Sequence, residues 1–137
     1  MLPKNLLYSE DHEWVRLNKR EAYIGFTSPF LEKLSGVVKL ELPEVGEEII
    51  QTIEFGLIEG QRFVKEIYAP LSGIIAEINE ELLDNLDLLI DDPYGEGWLL
   101  KINYTDEEET EALLNSKDYR KIIEDTDFGL FDSGEED

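Results

Sequence analysis

Residues 54–78, which read EFGLIEGQRFVKEIYAPLSGIIAEI, decide the fold. The apolar residues of this stretch fall into short runs separated by Gly and Pro, a pattern typical of strands joined by tight turns. We predict strands over 49–58, 63–69 and 74–78, with a tight hairpin tip over 59–62. Strands this short and this closely spaced indicate a small β-sandwich or barrel.

The sequence before this stretch continues the pattern. Alternation of apolar and polar residues predicts strands over 13–17, 22–26 and 37–42. Between the last two of these strands, we predict one short helix with Ser28 as its N-cap and Pro29 at its first position. The predicted fold class is therefore mainly β, a small β-sandwich or barrel that includes one short helix.

The sequence after this stretch changes character near Tyr104. Residues 79–89 predict a helical turn with loop, and 98–102 predict the final strand. Beyond Tyr104 the apolar spacing becomes helical, in two segments broken near Asn115 and Ser116. We therefore predict one domain over 1–125 that ends in a helical segment.

Charge is distributed unevenly along the chain. The 137 residues include 33 acidic and 12 basic ones, a net charge of −21. Residues 105–137 alone hold 13 acidic and 3 basic residues, a net charge of −10. We predict that 126–137 forms an acidic, disordered tail, because it offers few apolar side chains for burial.

Composition excludes several classes of function. A surface this negative repels phosphate backbones and anionic lipid, so we expect neither nucleic-acid nor membrane binding. The chain has no cysteine and a single histidine, His12, which excludes thiol chemistry and His-rich metal sites. It also lacks an apolar run of ~18 residues and the apolar core of a signal peptide. We expect a cytoplasmic protein with no catalytic residues and no bound metal.

Three local patterns suggest chemistry, and each has a simpler interpretation. Residues 125–129 place carboxylates at calcium-loop spacing but lack the remaining ligands, which favours a solvated tail. Asp91 and Asp92 precede Pro93 and are most simply part of a turn. His12 lies between two acids that would raise its pKa, although a surface or strand-edge position with a structural hydrogen bond explains it better than a functional role.

Eight strings in register carry a resemblance to a known family. They are His12–Val15, Ile24–Thr27, Leu42–Gly46, Ile58–Glu59, Ile67–Pro70, Ser72–Gly73, Asn79 with Leu82, and Pro93–Trp98. Their order and spacing resemble those of the glycine cleavage system H protein from about residue 6 to residue 125. The resemblance implies a barrel-sandwich hybrid, the fold of lipoyl and biotinyl carrier domains, with two small antiparallel sheets and short helices.

The resemblance also implies a function. H proteins are carriers and not enzymes: a lipoyl group on a hairpin lysine shuttles an aminomethyl group during glycine decarboxylation. Their partners are glycine decarboxylase (P protein), aminomethyltransferase (T protein) and dihydrolipoyl dehydrogenase (L protein). Enzymes that handle lipoate are further partners of such a domain.

The hairpin tip departs from the family pattern. Counted without a gap from Glu59 and back from Ile67, the position of the family's lipoyl lysine falls on Arg62. An arginine side chain stays protonated and does not accept an acyl group. We therefore expect no cofactor, and we expect Arg62 to contact a partner instead of being modified.

Two hypotheses remain from the sequence. The first is a monomeric, non-lipoylated H-like protein, a partner-binding or regulatory module that uses Glu59, Arg62, Phe63, Lys65 and Glu13, with Trp14 nearby. The second is a working lipoyl carrier modified at Lys65, three residues beyond the expected position. An enzyme that uses one of the many carboxylates is the weakest alternative.

Overall fold

The computed structural model describes residues 2–126, and residues 127–137 of the predicted tail lie outside that range. The strands are β1 (Leu7–Tyr8), β2 (Glu13–Asn18), β3 (Glu21–Phe26), β4 (Lys39–Glu41), β5 (Glu48–Ile49), β6 (Glu54–Glu59), β7 (Val64–Tyr68), β8 (Gly73–Ile78) and β9 (Leu100–Tyr104). The helices are α1 (Ser28–Leu34), α2 (Glu80–Asp84), α3 (Leu88–Asp91), a 3₁₀ helix (Glu107–Ala112) and α4 (Ser116–Thr126).

The strands form two antiparallel sheets. The larger sheet has the order β1-β2-β3-β9-β8-β5, and the smaller one has the order β4-β6-β7. In the smaller sheet Glu59 pairs with Val64 at the closed end of the β6–β7 hairpin. This architecture confirms the predicted mainly β, barrel-sandwich class with short helices and a C-terminal helical segment.

The main core lies between the two sheets. Ile58 and Ile67 come from the smaller sheet, Ile24 and Ile102 from the larger one, and Phe30 from α1, and all five are fully buried. A second cluster of Leu2, Leu6, Tyr8, Trp14 and Tyr119 joins the N-terminal segment to α4. Core contacts therefore fasten both ends of the described chain to the sheets.

Several predicted boundaries are wrong. Thr27 and not Ser28 is the N-cap of α1, since Thr27 is extended and its carbonyl accepts from the Leu31 amide at 3.1 Å. The strand predicted over 49–58 is interrupted between Ile49, where β5 ends, and Glu54, where β6 begins. Thr52, which lies between them, has a left-handed φ of 72°, and this conformation is incompatible with an extended strand. The edge strand β4 is shorter than predicted, the last strand begins two residues late, and β1 was not predicted.

The C-terminal segment has the predicted two parts. The Asp106 side chain accepts from the Glu108 amide at 2.9 Å and caps the 3₁₀ helix. Leu114 then exchanges backbone hydrogen bonds with Tyr8 before α4 begins. Among the described helices, none has the length and apolar character that crossing a bilayer requires.

Candidate functional site

The candidate site is the tip of the β6–β7 hairpin. The Gly60 amide donates to the Phe63 carbonyl at 3.0 Å, which closes a four-residue turn between the strands. Arg62 lies in this turn and its side chain is exposed. The structure therefore places the residue that the sequence singled out at an accessible apex of the small sheet.

Helix α1 supports the tip from beneath. The Gln61 amide donates to the Ser35 carbonyl at 3.2 Å, and the Arg62 amide donates to the Leu34 carbonyl at 3.3 Å. These carbonyls end α1 and have no partner within the helix, so the tip satisfies them. A Cβ atom on Gly60 would overlap the Leu34 side chain and carbonyl, so the close contact requires glycine. The backbone that presents Arg62 is thereby fixed to the helix.

The two residues after Arg62 differ in environment. Phe63 is half-buried, and its ring meets Phe30 edge-on with centroids 6.1 Å apart. Val64 is exposed on the strand that follows. Phe63 therefore packs against the core and is also partly exposed, whereas the Val64 side chain lies on the surface.

Lys65 is held against the fold. Its side chain is 17% exposed, and Nζ lies 3.9 Å from Asp11 Oδ1. Nζ also donates to the Glu66 carbonyl at 3.2 Å and lies 5.2 Å from the centroid of the Tyr68 ring. This ammonium thus has a carboxylate, a carbonyl and an aromatic face as neighbours.

Glu13 is fully buried, so its carboxylate is not presented at the surface. Ser9 Oγ donates to Glu13 Oε1 at 3.1 Å, while Oε2 has no hydrogen-bond partner among the described residues. Burial and the nearby Asp11 raise the pKa of Glu13, although Lys65 acts in the opposite direction. The expectation that Glu13 lies on the partner-binding surface is therefore corrected, and Trp14 is buried too.

His12 belongs to a buried hydrogen-bond chain. Its Nδ1 lies 2.9 Å from Tyr119 Oη, which lies 2.8 Å from Thr27 Oγ1. Burial, with a smaller contribution from Lys65, lowers the pKa of His12 to about 4. The expectation that the flanking acids favour the charged ring is wrong, because desolvation outweighs their attraction. The structural hydrogen bond expected of His12 is present.

Tyr119 is the residue that the sequence did not assign to this region. Its ring stacks on Tyr8 with centroids 5.0 Å apart, and its hydroxyl bridges His12 and Thr27. The sequence marked Tyr119 only as an apolar position of a helix. The sequence offered one indication of this role: a tyrosine at a buried helical position needs a hydrogen-bond partner for its hydroxyl group.

The acidic pairs do not form a catalytic or metal centre among residues 2–126. Asp92 Oδ2 accepts from the Glu96 amide at 2.9 Å, and its carbonyl accepts from Gly95 and Gly97, as a turn requires. No group of three or more His, Asp or Glu side chains in the described chain is placed to hold a metal ion. The pattern predicted at 125–129 lies largely outside the described residues.

Comparison with known proteins identifies the family. The family model described as "Glycine cleavage H-protein" matches residues 6–126. The chain belongs to this family. The H protein of Carboxydothermus hydrogenoformans is 39% identical over 124 residues, which cover 90% of this chain and 95% of the relative. The H protein of Herpetosiphon aurantiacus is 44% identical over 124 residues, with the same shares covered.

A solved H-protein structure has the same fold. The crystal structure of the glycine cleavage system H protein from Mycobacterium marinum superposes with a TM-score of 0.80 at 32% identity, covering 88% of this chain and 97% of that one. H proteins are lipoyl carriers and not catalysts, which confirms the expectation that the chain is not an enzyme. Members of the family work with the P, T and L proteins of glycine cleavage.

Proposed function

We propose that this chain is a non-lipoylated H-family protein that binds a protein partner through the face around the β6–β7 tip. The observation that carries the proposal is Arg62, which is exposed at the tip. The gap-free count from Glu59 to Ile67 assigns to it the position of the family's lipoyl lysine. The scaffold is that of a carrier, while the tip lacks the group that a carrier modifies.

The chemistry of lipoylation supports this proposal. Amide formation requires an amine that loses its proton and presents a free lone pair, as a lysine of pKa about 10.4 does at modest cost. The guanidinium of arginine remains protonated, and its lone pairs are delocalised. Arg62 is therefore suited to binding and unsuited to acylation.

Lys65 is a poor substitute acceptor. A lipoylating enzyme needs the amine to project into its own active site, but the Lys65 side chain is only 17% exposed. Moving Nζ outward would separate it from Asp11, the Glu66 carbonyl and the Tyr68 ring. A carrier modified at Lys65 remains the alternative that the experiment must distinguish.

The proposed partner-binding face contains Glu59, Arg62, Lys65 and the exposed part of Phe63. A guanidinium makes bidentate contacts with carboxylates and stacks on aromatic rings. Such contacts give arginine a leading place among the residues that dominate binding energies. We propose that the partner is the P, T or L protein or a lipoate-handling enzyme, and that it presents a carboxylate or aromatic side chain to Arg62.

The first prediction concerns modification. We expect the intact mass of the wild-type protein to remain unchanged after incubation with a lipoate ligase, ATP and lipoate. The R62K variant should gain the mass of a lipoyl group in part of the sample, because the backbone that presents residue 62 is retained. A lipoylated H protein is the positive control.

The K65R variant distinguishes the alternative carrier. A lipoyl increment on the wild type that K65R abolishes would replace the proposal with modification at Lys65. Failure of R62K to accept lipoate, while the positive control is modified, would show that Arg62 does not occupy the acceptor position.

Partner binding is tested separately. We expect R62A to lose at least one protein that the wild type retains in pull-downs from the native host. Arg20 is an exposed arginine in the β2–β3 turn, so R20A is a matched control. Equal retention by the wild type, R62A and R20A would contradict a role for Arg62 in binding.

A further inference from the structure

A second surface feature lies between β4 and α2. It is an open groove of about 670 Å³. Its lining consists of Leu40, Glu41, Leu42, Pro43, Glu44, Val45, Ile78, Glu80, Leu83 and Asp84. A volume of this size is within the range of sites that hold ligand or peptide side chains.

The lining of the groove includes aliphatic side chains that are open to solvent. Val45 is 59% exposed and Leu83 is 47% exposed, although both are large aliphatic side chains. Leu40, Leu42 and Ile78 are half-buried beside them. Single exposed aliphatic residues are ordinary, but several around one concavity mark an interaction surface.

The rim of the groove is acidic. Its carboxylates belong to Glu41, Glu44, Glu80 and Asp84, and none of the described residues that line the groove is basic. Lys39 pairs with Glu41 at 3.1 Å, which leaves Glu44, Glu80 and Asp84 to set the sign of the rim. Aliphatic side chains bordered by carboxylates complement a segment of opposite charge that carries apolar anchors.

We propose that this groove docks a basic amphipathic segment of a partner protein, with aliphatic side chains in the groove and lysine or arginine at the rim. A second copy of this chain is a poor occupant, because its net charge is −21. An anionic ligand would meet the same carboxylates unfavourably. Charge complementarity thus selects a cationic peptide.

The groove shares no residue with the tip face, although β4 pairs with β6 of the hairpin. None of its lining residues falls between Glu59 and Lys65. Docking in the groove therefore does not depend on whether Arg62 or Lys65 is modified, and either proposal stands if the other fails.

The test uses the full chain and a synthetic helical peptide with leucine anchors flanked by lysines. Binding is measured by fluorescence anisotropy, and its location by amide chemical shifts. We expect the V45Q/L83Q variant to bind the peptide roughly tenfold more weakly than the wild type, because the anchors lose their apolar contacts. The largest shifts should fall on 40–45 and 78–84.

A matched control removes equal apolar surface elsewhere. Ile53 and Ile74 are exposed aliphatic residues outside the groove, so I53Q/I74Q should bind like the wild type. Charge is tested in the same way, with E44Q/E80Q expected to weaken binding more than E107Q/E108Q, which alters an acidic cluster elsewhere.

Three results would overturn the proposal. The first is equal weakening by the groove variants and their controls, which would show diffuse attraction to an acidic protein. The second is comparable binding of a peptide in which glutamate replaces lysine. The third is a wild-type dimer in sedimentation that V45Q/L83Q dissociates, which would make a second copy the occupant.

Discussion

At the scale of single residues, burial has the largest effect on the pKa values of His12 and Glu13 near the hairpin. His12 and Glu13 are both buried, and desolvation favours the neutral form of each. The positive charge of Lys65 lowers the pKa of both groups. It therefore acts with burial on His12 and against burial on Glu13. The contributions of these two neighbouring groups to the free energy of unfolding therefore change in opposite directions with pH.

The lowered pKa of His12 makes the stability of the folded state depend on pH. Its pKa falls from 6.5 in the unfolded chain to about 4 in the folded one. Between these values the unfolded chain binds a proton that the folded chain does not, so falling pH removes stability. For Glu13 the folded pKa is raised, so its penalty grows as pH rises above its unfolded value.

These signs predict a pH-dependent effect of H12N. Asparagine tolerates the left-handed φ of 72° at this position, which keeps backbone strain out of the comparison. At pH 7 we expect H12N to be less stable by about 1–3 kcal/mol, because it loses ring packing. By pH 5 the difference in free energy of unfolding between the two proteins should narrow by about 2 kcal/mol. Only the wild type loses stability here, because its unfolded chain binds a proton at His12 that the folded chain does not.

Urea unfolding of both proteins at the two pH values measures this gap. The other titrating groups are common to both proteins and cancel in the difference. A gap that stays constant or widens towards pH 5 would contradict a depressed pKa for His12.

At the scale of elements, the β6–β7 hairpin and α1 form one unit. The end of α1 accepts the amides of Gln61 and Arg62, and Gly60 lies directly against Leu34. Phe63 and Phe30 add an apolar contact between the same two elements. The position of the tip therefore depends on the helix as well as on the strands.

Glycine substitutions test this coupling. G60A should destabilise the protein by about 1–3 kcal/mol, because the added methyl group overlaps Leu34 and forces the hairpin away from α1. The control is G46A, whose φ of +94° is strained for alanine but whose surroundings are open. Its cost should be about 1 kcal/mol.

Thermal unfolding ranks the two variants, and amide shifts of 34–36 and 60–63 locate the disturbance. Only G60A should move both segments. Equal stability of G60A and the wild type would mean that the hairpin does not rest on α1.

At the scale of the whole molecule, two small sheets enclose one core and a strongly acidic surface surrounds them. The N-terminal segment and α4 close one side through Tyr8, Trp14 and Tyr119. The net charge of −21 opposes association with other acidic surfaces, its own included. Arg62 adds a positive charge to this acidic surface, whereas the groove between β4 and α2 is negatively charged like most of the surface.

Truncation tests the predicted domain boundary. Removing 127–137 takes away only Phe128, Leu130 and Phe131 as large apolar residues. Ordering eleven residues costs about 1–2 kcal/mol each in backbone entropy, which three side chains cannot offset. We therefore expect the melting temperature to change by no more than a few degrees. A larger fall in calorimetry would show that these side chains contribute to the core.

The sequence by itself determined the class of the fold and the position of the hairpin. Gly and Pro mark the turns through their own backbone preferences, and strand alternation follows from a period of two residues, so both are legible locally. The count from Glu59 to Ile67 singled out Arg62 by the same local reading. The family strings agreed with that reading along most of the chain.

Only the tertiary structure decided which side chains are buried and what they touch. His12 and Tyr119 are 107 residues apart, and Lys65 of the smaller sheet lies beside Asp11, which is in the turn between β1 and β2. Neither contact has a local signature, so local patterns predicted the wrong protonation state for His12 and a surface position for Glu13. Charge and exposure depend on what the fold brings around a residue, and burial can reverse what its sequence neighbours favour.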